Sequence, residues 1–154
     1  LQGDVTYIQT AAAQGALEHA TRYMNDRVIA GKSIASLQGL QWKLADMAIA
    51  LEGARLLLAR AVRLAGPGGT PPALETAMAK TAANLAAKFV CDEAIQLHGG
   101  YGYSREYPVE RVYRDIRGLC IGAGTLEAQR NYVGSSVARG VTSSSPGWMN
   151  PLLD

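Results

Sequence analysis

Sulfur, imidazole, aromatic rings and net charge are all scarce in this chain. Its 154 residues include two cysteines, two histidines and one phenylalanine, and aromatic side chains make up 6%. Two cysteines cannot build a disulfide framework or a thiolate zinc site, so Cys91 and Cys120 are expected to be free, buried thiols of a reducing, cytoplasmic protein. His19 and His98 have no second ligand at helical spacing, and no metal site is expected. Fifteen basic residues against thirteen acidic leave a net charge of +2, scattered along the chain. That excludes the basic patch of a nucleic-acid binder. No apolar run approaches the ~20 residues of a membrane span. Polar Gln2, Asp4 and Thr6 near the start do not read as a signal peptide. There is no initiating Met, which points to a domain cut from a longer protein.

What is present is alanine and helical period. The sequence contains 25 alanines and 48% apolar residues, enough for one domain with a sizeable core. Alanine favours helices and suits close helix packing, whereas a β-sandwich needs β-branched and aromatic strands. The row Leu37, Leu40, Leu44, Met47, Leu51, Ala54, Leu58, Ala61, Ala65 alternates spacings of three and four, the mark of one stripe on a long helix. Ile49, Leu56, Leu57, Val62 and Leu64 widen it, which predicts burial on more than one side. Gly66-Pro67-Gly68-Gly69 ends it.

An earlier helix is predicted from about Asp4 to about Ala30, capped by Asp4 or Thr6, with Val5, Ile8, Ala12, Ala16, Ala20, Tyr23 and Met24 near one face. Ser33 or Ser36 is the expected cap of the next helix. A third helix follows Pro71-Pro72, passes Leu74, Met78, Thr81, Leu85, Phe89, Asp92 and Ile95, and ends at His98. Its alanines allow a neighbouring helix to approach closely. Gly99 to Tyr103 breaks regular structure. A short helix starts at Pro108, with Glu110–Arg114 and Arg111–Asp115 as surface pairs. The last helix runs from Thr125 to Arg139. The expectation is an all-α, antiparallel up-and-down four-helix bundle with one extra short helix over residues 1–140, and a mobile tail over 141–154.

Two glycine segments bear on function. Gln96-Leu97-His98-Gly99-Gly100-Tyr101-Gly102-Tyr103 puts three glycines where a helix ends, and glycine lets a ligand approach the backbone. It is not a dinucleotide fingerprint, which needs a strand before and a helix after. Ile121-Gly122-Ala123-Gly124-Thr125 opens the last helix, where backbone N–H groups face outward. Each alone is also what an ordinary helix end looks like.

In combination these residues resemble the acyl-CoA dehydrogenase family. Arg27 is followed by Gln38 and by Gln41 to Met47, then by Gln96 to Tyr103, Glu106-Tyr107-Pro108-Val109-Glu110-Arg111, Arg114-Asp115, Gly124-Thr125 and Arg130. The resemblance covers residues 1–140 and implies the C-terminal four-helix domain of a larger enzyme of fatty acid metabolism, typically a homotetramer. That enzyme would be a flavoprotein oxidoreductase: FAD takes a hydride from the β-carbon of an acyl-CoA thioester, a carboxylate removes the α-proton, and electrons pass to an electron-transferring flavoprotein. By resemblance, Arg27 and Gln38 face the pyrophosphate and adenosine end of FAD across a subunit interface. Gln96, Gly99 and Gly100 lie along the same half, and Thr125 and Glu127 sit at the helix start that meets the cofactor. A homo-oligomer, a dimer or a dimer of dimers, is implied.

The sequence departs from the family twice. The usual catalytic glutamate precedes Gly-Thr, and here that position is Ala123. Isovaleryl-CoA-type members share the Ile-Gly-Ala-Gly-Thr loop but carry the glutamate on the first helix, at the position of Leu1. Asp4 is the nearest acid, so the catalytic base is unknown. After Arg27 the family's Phe-Gly is replaced by Val28-Ile29-Ala30-Gly31. Three readings follow: a dehydrogenase whose base lies elsewhere, a flavin-binding or structural partner subunit of a hetero-oligomer, and a flavin-dependent monooxygenase relative.

Overall fold

The computed structural model describes residues 2–141. The elements are α1 (Gln2–Asp26), a hairpin of β1 (Val28–Ile29) and β2 (Lys32–Ser33), α2 (Gln38–Ala65), α3 (Ala73–His98), α4 (Gly100–Tyr103), α5 (Val109–Leu119) and α6 (Leu126–Ala138). A 3-10 turn at Ile34–Ser36 leads into α2. Apart from the two-residue strands, the regular elements of the described residues are all helical.

The α3 helix is the centre. It is buried along most of its length, with Ala77, Ala83, Ala87, Val90, Cys91 and Ala94 at 0–2% exposure. It shares a core cluster with Ala13, Ala16, Ala20 and Met24 of α1 and with Met47 and Leu51 of α2. Alanine at these positions removes side-chain bulk, so the helix axes can lie close together. Contacts at the ends set the directions. Gln9, early in α1, donates to Asn84 in the first half of α3. Tyr23, late in α1, stacks on His98 at the end of α3. These two helices therefore run parallel. Lys43 at the start of α2 pairs with Glu93 at 2.6 Å, while Arg60 near its end faces Glu75 at 3.9 Å, so α2 runs antiparallel to α3. The α5 helix also runs antiparallel, since Tyr107 before its start packs on His98 and Leu119 at its end meets Lys80.

Several sequence expectations need correction. The first helix stops at Asp26, not Ala30, because Ala30 and Gly31 both take positive φ (50° and 76°). That is the two-residue turn that matches the twist of a hairpin. Asp4 and Thr6 lie inside α1 rather than capping it. Ser33 caps the 3-10 turn, and α2 starts after Leu37, which gives it no side-chain cap. A turn of helix, α4, stands where Gly100–Tyr103 reads as irregular. On α1 the inward row is Thr6, Gln9, Thr10, Ala13, Ala16, Ala20 and Met24, while Ile8 is exposed. On α3 the alanines face inward and Leu85 and Phe89 face out. The widening residues Ile49, Leu56 and Val62 are exposed in the single chain. The Glu110–Arg114 pair forms, at 2.9 Å, but Arg111–Asp115 does not. Past Val141, the expected tail falls outside the described residues.

The expected free thiols are present, and both are buried. Burial pushes the Cys91 thiol up to about 12, with Cys120 beside it adding to the effect. No helix among the described residues is long and apolar enough to cross a membrane. Met47 is fully buried at the centre of the core cluster. Met47→Ala is expected to lower the unfolding free energy by about 2–5 kcal/mol, read from a shift in the urea midpoint.

Candidate functional site

At the end where α1 and α3 both finish, the backbone opens a cleft of about 530 Å³. Arg27, Gln96, Gly99 and Gly100 line it together with Tyr101 and Glu106. Arg27 is the first residue past α1. Its N–H donates to Tyr23 O at 2.8 Å and its carbonyl accepts from Ile34 N at 2.9 Å, so its backbone is pinned between helix and hairpin. Its side chain is exposed and forms no ion pair among the described residues. Gly99 closes α3 at φ 59°, ψ −139°, a conformation that only glycine adopts readily. A Cβ added at Gly99 or Gly100 would meet no protein atom within 4 Å, so this stretch of backbone is open to a ligand. Gly102 differs: a Cβ there would stand 2.5 Å from Ile95 O, so its role is packing.

Behind the cleft lies an aromatic cluster. Tyr23 stacks on His98 with centroids 4.4 Å apart, and Tyr107 meets both rings edge-on, at 5.5 and 5.2 Å. His98 Nδ1 is 2.7 Å from Ala94 O and must carry the proton to donate there. Nε2 is then an acceptor, buried and without a partner among the described residues. Burial pulls the His98 pKa below the usual 6.5, against the opposing pull of the Ala94 carbonyl. Desolvation thus outweighs the attraction a helix C-terminus has for a positive charge. A second cleft, of about 390 Å³, shares Arg27 and His98 and adds His19, Arg22 and Asp26.

The other expected site residues stand elsewhere in this chain. Gln38 is the exposed first residue of α2 and does not line the cleft. Thr125 caps α6, its Oγ1 accepting from Ala128 N at 3.3 Å. Glu127 is exposed in the first turn, its carboxylate held below the usual range by its own backbone N–H and by Thr125. Both belong to the end of the domain away from Gln96. Residues 80 and 96 alone are roughly 24 Å apart along α3. In the loop before Thr125, Ala123 has φ 55° and Gly124 φ 95°.

One feature at that end went unseen in the sequence. Lys80 is 0% exposed and pairs with no carboxylate among the described residues. Its Nζ donates to Gln9 Oε1 at 3.0 Å, Leu119 O at 3.1 Å and Asn84 Oδ1 at 3.3 Å. Burial pulls its pKa below the usual lysine value, partly offset by the Cys120 thiol. The available signal was its place three residues from both Ala77 and Ala83, on the alanine face.

Compared with known proteins, residues 5–138 match the profile of the acyl-CoA dehydrogenase C-terminal domain. The chain belongs to the acyl-CoA dehydrogenase family. It is 49% identical over 118 residues to the mitochondrial short-chain specific acyl-CoA dehydrogenase of Sus scrofa, covering 77% of this chain and 29% of that protein. It is 42% identical over 127 residues to the acryloyl-CoA reductase (NADH) of Anaerotignum propionicum, covering 82% and 32%. Among solved structures it is similar to butyryl-CoA dehydrogenase from Megasphaera elsdenii, with TM-score 0.84 and 38% identity over 90% of this chain and 36% of that one. The chain thus spans about a third of the length of the curated relatives it matches. Family membership accounts for the all-α architecture of the described residues.

The neutral His98 gives a pH test with a defined sign. Its folded pKa lies below 6.5, so the unfolded chain takes up the proton first as pH falls. The stability it contributes is present above pH 6.5 and is lost as pH drops from there through the folded pKa. Between pH 7.5 and 5.5 the urea midpoint is expected to fall more for the native sequence than for His98→Phe, which keeps the stack on Tyr23 but cannot titrate.

Proposed function

We propose that this chain is the C-terminal domain of an FAD-dependent acyl-CoA dehydrogenase that oxidises an acyl-CoA thioester to the α,β-enoyl-CoA. The observation that carries the reading is that the Arg27 side chain, with no ion pair among the described residues, lines one cleft with the open Gly99-Gly100 backbone and with Gln96. A guanidinium without an anion suits a pyrophosphate, because its planar fork donates to two oxygens at once. Glycines without a Cβ let the phosphate chain lie against the backbone, and Gln96 can both donate and accept with an adenosine. The residues present therefore fit the nucleotide half of FAD. When bound, the flavin supplies the hydride acceptor; this chain's part is to hold and orient it.

Gln38, Thr125 and Glu127 complete the expected set, but from positions outside the cleft. A cofactor touched by both ends of the domain requires a neighbouring subunit. The outer face of α2 supports one: Trp42, Ile49 and Leu56 recur every seven residues and are 63%, 71% and 62% exposed. A homo-oligomer, dimer or dimer of dimers, would cover them. The functional unit is the domain of residues 1–140. Electrons would leave to an electron-transferring flavoprotein. Free Cys91 and Cys120 fit a cytoplasmic setting.

Ala123 favours a second reading. Alanine cannot accept a proton, so the α-proton must go to a base elsewhere in the longer protein or on another chain. In the latter case the subunit is a flavin-binding partner in a hetero-oligomer. Turnover of acyl-CoA by a single-chain preparation of the full-length protein would exclude that arrangement. Oxygen-dependent hydroxylation would instead support the monooxygenase reading.

Arg27→Ala in the full-length protein is expected to weaken FAD retention by about 10–100-fold, the loss of charge-assisted hydrogen bonds worth roughly 1.5–3 kcal/mol. Flavin absorbance per protein after gel filtration measures it. Undiminished flavin in the variant would remove Arg27 from the site.

A further inference from the structure

The cleft at Gly99 lies at the end of α3, and a separate groove of about 300 Å³ runs along the outward face of that helix, between it and α5. Its walls are Leu85 and Phe89 of α3 and Tyr113 of α5, which are 44%, 37% and 36% exposed. Its floor is Ile116, which is buried. A volume near 300 Å³ is the lower end of the range for small-molecule sites, and such sites set a few polar groups into apolar walls.

The cationic groups of this groove are Lys88 on α3 and Arg117 on α5. Both are exposed, and neither forms an ion pair among the described residues. Burial pushes the Cys120 thiol up, while Lys80, Lys88 and Arg117 each pull it back. Lys88 and Arg117 thus gather at the Cys120 end of the groove. Because α5 runs antiparallel to α3, the steps from Lys88 to Asp92 and from Arg117 to Tyr113 go the same way, by one turn or about 6 Å. Asp92 therefore stands toward the other end, where the groove meets a further cleft of about 650 Å³ that also holds Arg105, Glu110 and Arg114. Among the described residues, the two linings carry four cations, Lys88, Arg105, Arg114 and Arg117, against two carboxylates, Asp92 and Glu110. The only ion pair formed within this set joins Arg114 to Glu110 at 2.9 Å. Two neighbouring cations without a counter-ion favour an anion between them. A small hydrated anion would leave the apolar walls uncovered, and a neutral hydrocarbon would leave the cations unmet. A carboxylate on an apolar body meets both.

We propose that the groove between α3 and α5 is a binding site for a small apolar monocarboxylate, with its carboxylate between Lys88 and Arg117 and its body over Ile116, against Leu85, Phe89 and Tyr113. The groove shares no lining residue with the Gly99-Gly100 cleft, so the inference stands apart from the cofactor reading.

Calorimetric titration of the full-length protein with hexanoate, acetate and hexanol tests it. Hexanoate carries both features, and each of the others carries one. Hexanoate is expected to bind one-to-one with a Kd of about 1 mM or tighter, and acetate and hexanol about tenfold more weakly or worse. A double variant, Lys88→Gln with Arg117→Gln, alters only exposed side chains and is expected to keep its cooperative melt. It should weaken hexanoate about tenfold or more and leave hexanol unchanged. Hexanoate that binds this variant as tightly as the unsubstituted protein overturns the proposal, as does acetate that binds as tightly as hexanoate. No saturable hexanoate binding at about 1 mM overturns it too, including where another segment of the longer protein fills the groove. If the double variant loses its melt, Arg117→Gln and Phe89→Ser are read singly. Weaker hexanoate binding in both supports the proposal, and unchanged binding in either overturns it.

Discussion

Close approach of α1 to α3 through alanine is the contact on which the rest depends. Ala13, Ala16 and Ala20 share one core cluster with Ala87, Cys91 and Ala94. Because they run parallel, both finish at the same end, and the first residues past each stop side by side. Arg27 follows one stop and Gly99-Gly100 follows the other. The same arrangement brings the early turns of both helices together at the opposite end, where Gln9 meets Lys80 and Asn84. One packing choice thus places a nucleotide-sized cleft at one pole and the Ala123 loop at the other.

The polar groups at the two poles are treated differently. At the cleft the Arg27 cation is exposed and has no ion pair among the described residues, and desolvation favours the neutral form of the buried His98 imidazole. At the loop the cation is buried and saturated by neutral acceptors. An exposed guanidinium costs little to keep free for a ligand. A buried ammonium must have its hydrogens accepted, and once accepted it holds three elements rigidly. The first arrangement is suited to binding, the second to fixing geometry.

Five of the six helices and most of their boundaries were legible in the sequence because glycine and proline punctuate it: Gly66-Pro67 after α2, Pro71-Pro72 before α3, Gly99 after it, Thr125 before α6. The inward faces of α1 and α3 were harder to read. Periodicity follows bulk, and here the bulky residues, Ile8, Leu85 and Phe89, point outward while alanine and buried polar groups point inward. The hairpin after Arg27 escaped because two-residue strands carry no period. Lys80 escaped because a lysine in a helix reads as solvated. Of the candidate site, Gln96, Gly99 and Gly100 are adjacent in sequence. That Arg27 faces them is a property of the parallel packing, anticipated only through resemblance to the family.

The central claim is that this cleft holds the nucleotide half of a flavin. A structure of the full-length protein with FAD tests it most directly. The account predicts the diphosphate between the Arg27 guanidinium and the Gly99-Gly100 backbone, with the isoalloxazine extending toward a neighbouring subunit. Density for the diphosphate at another part of the protein, or this cleft closed by protein side chains, would contradict it.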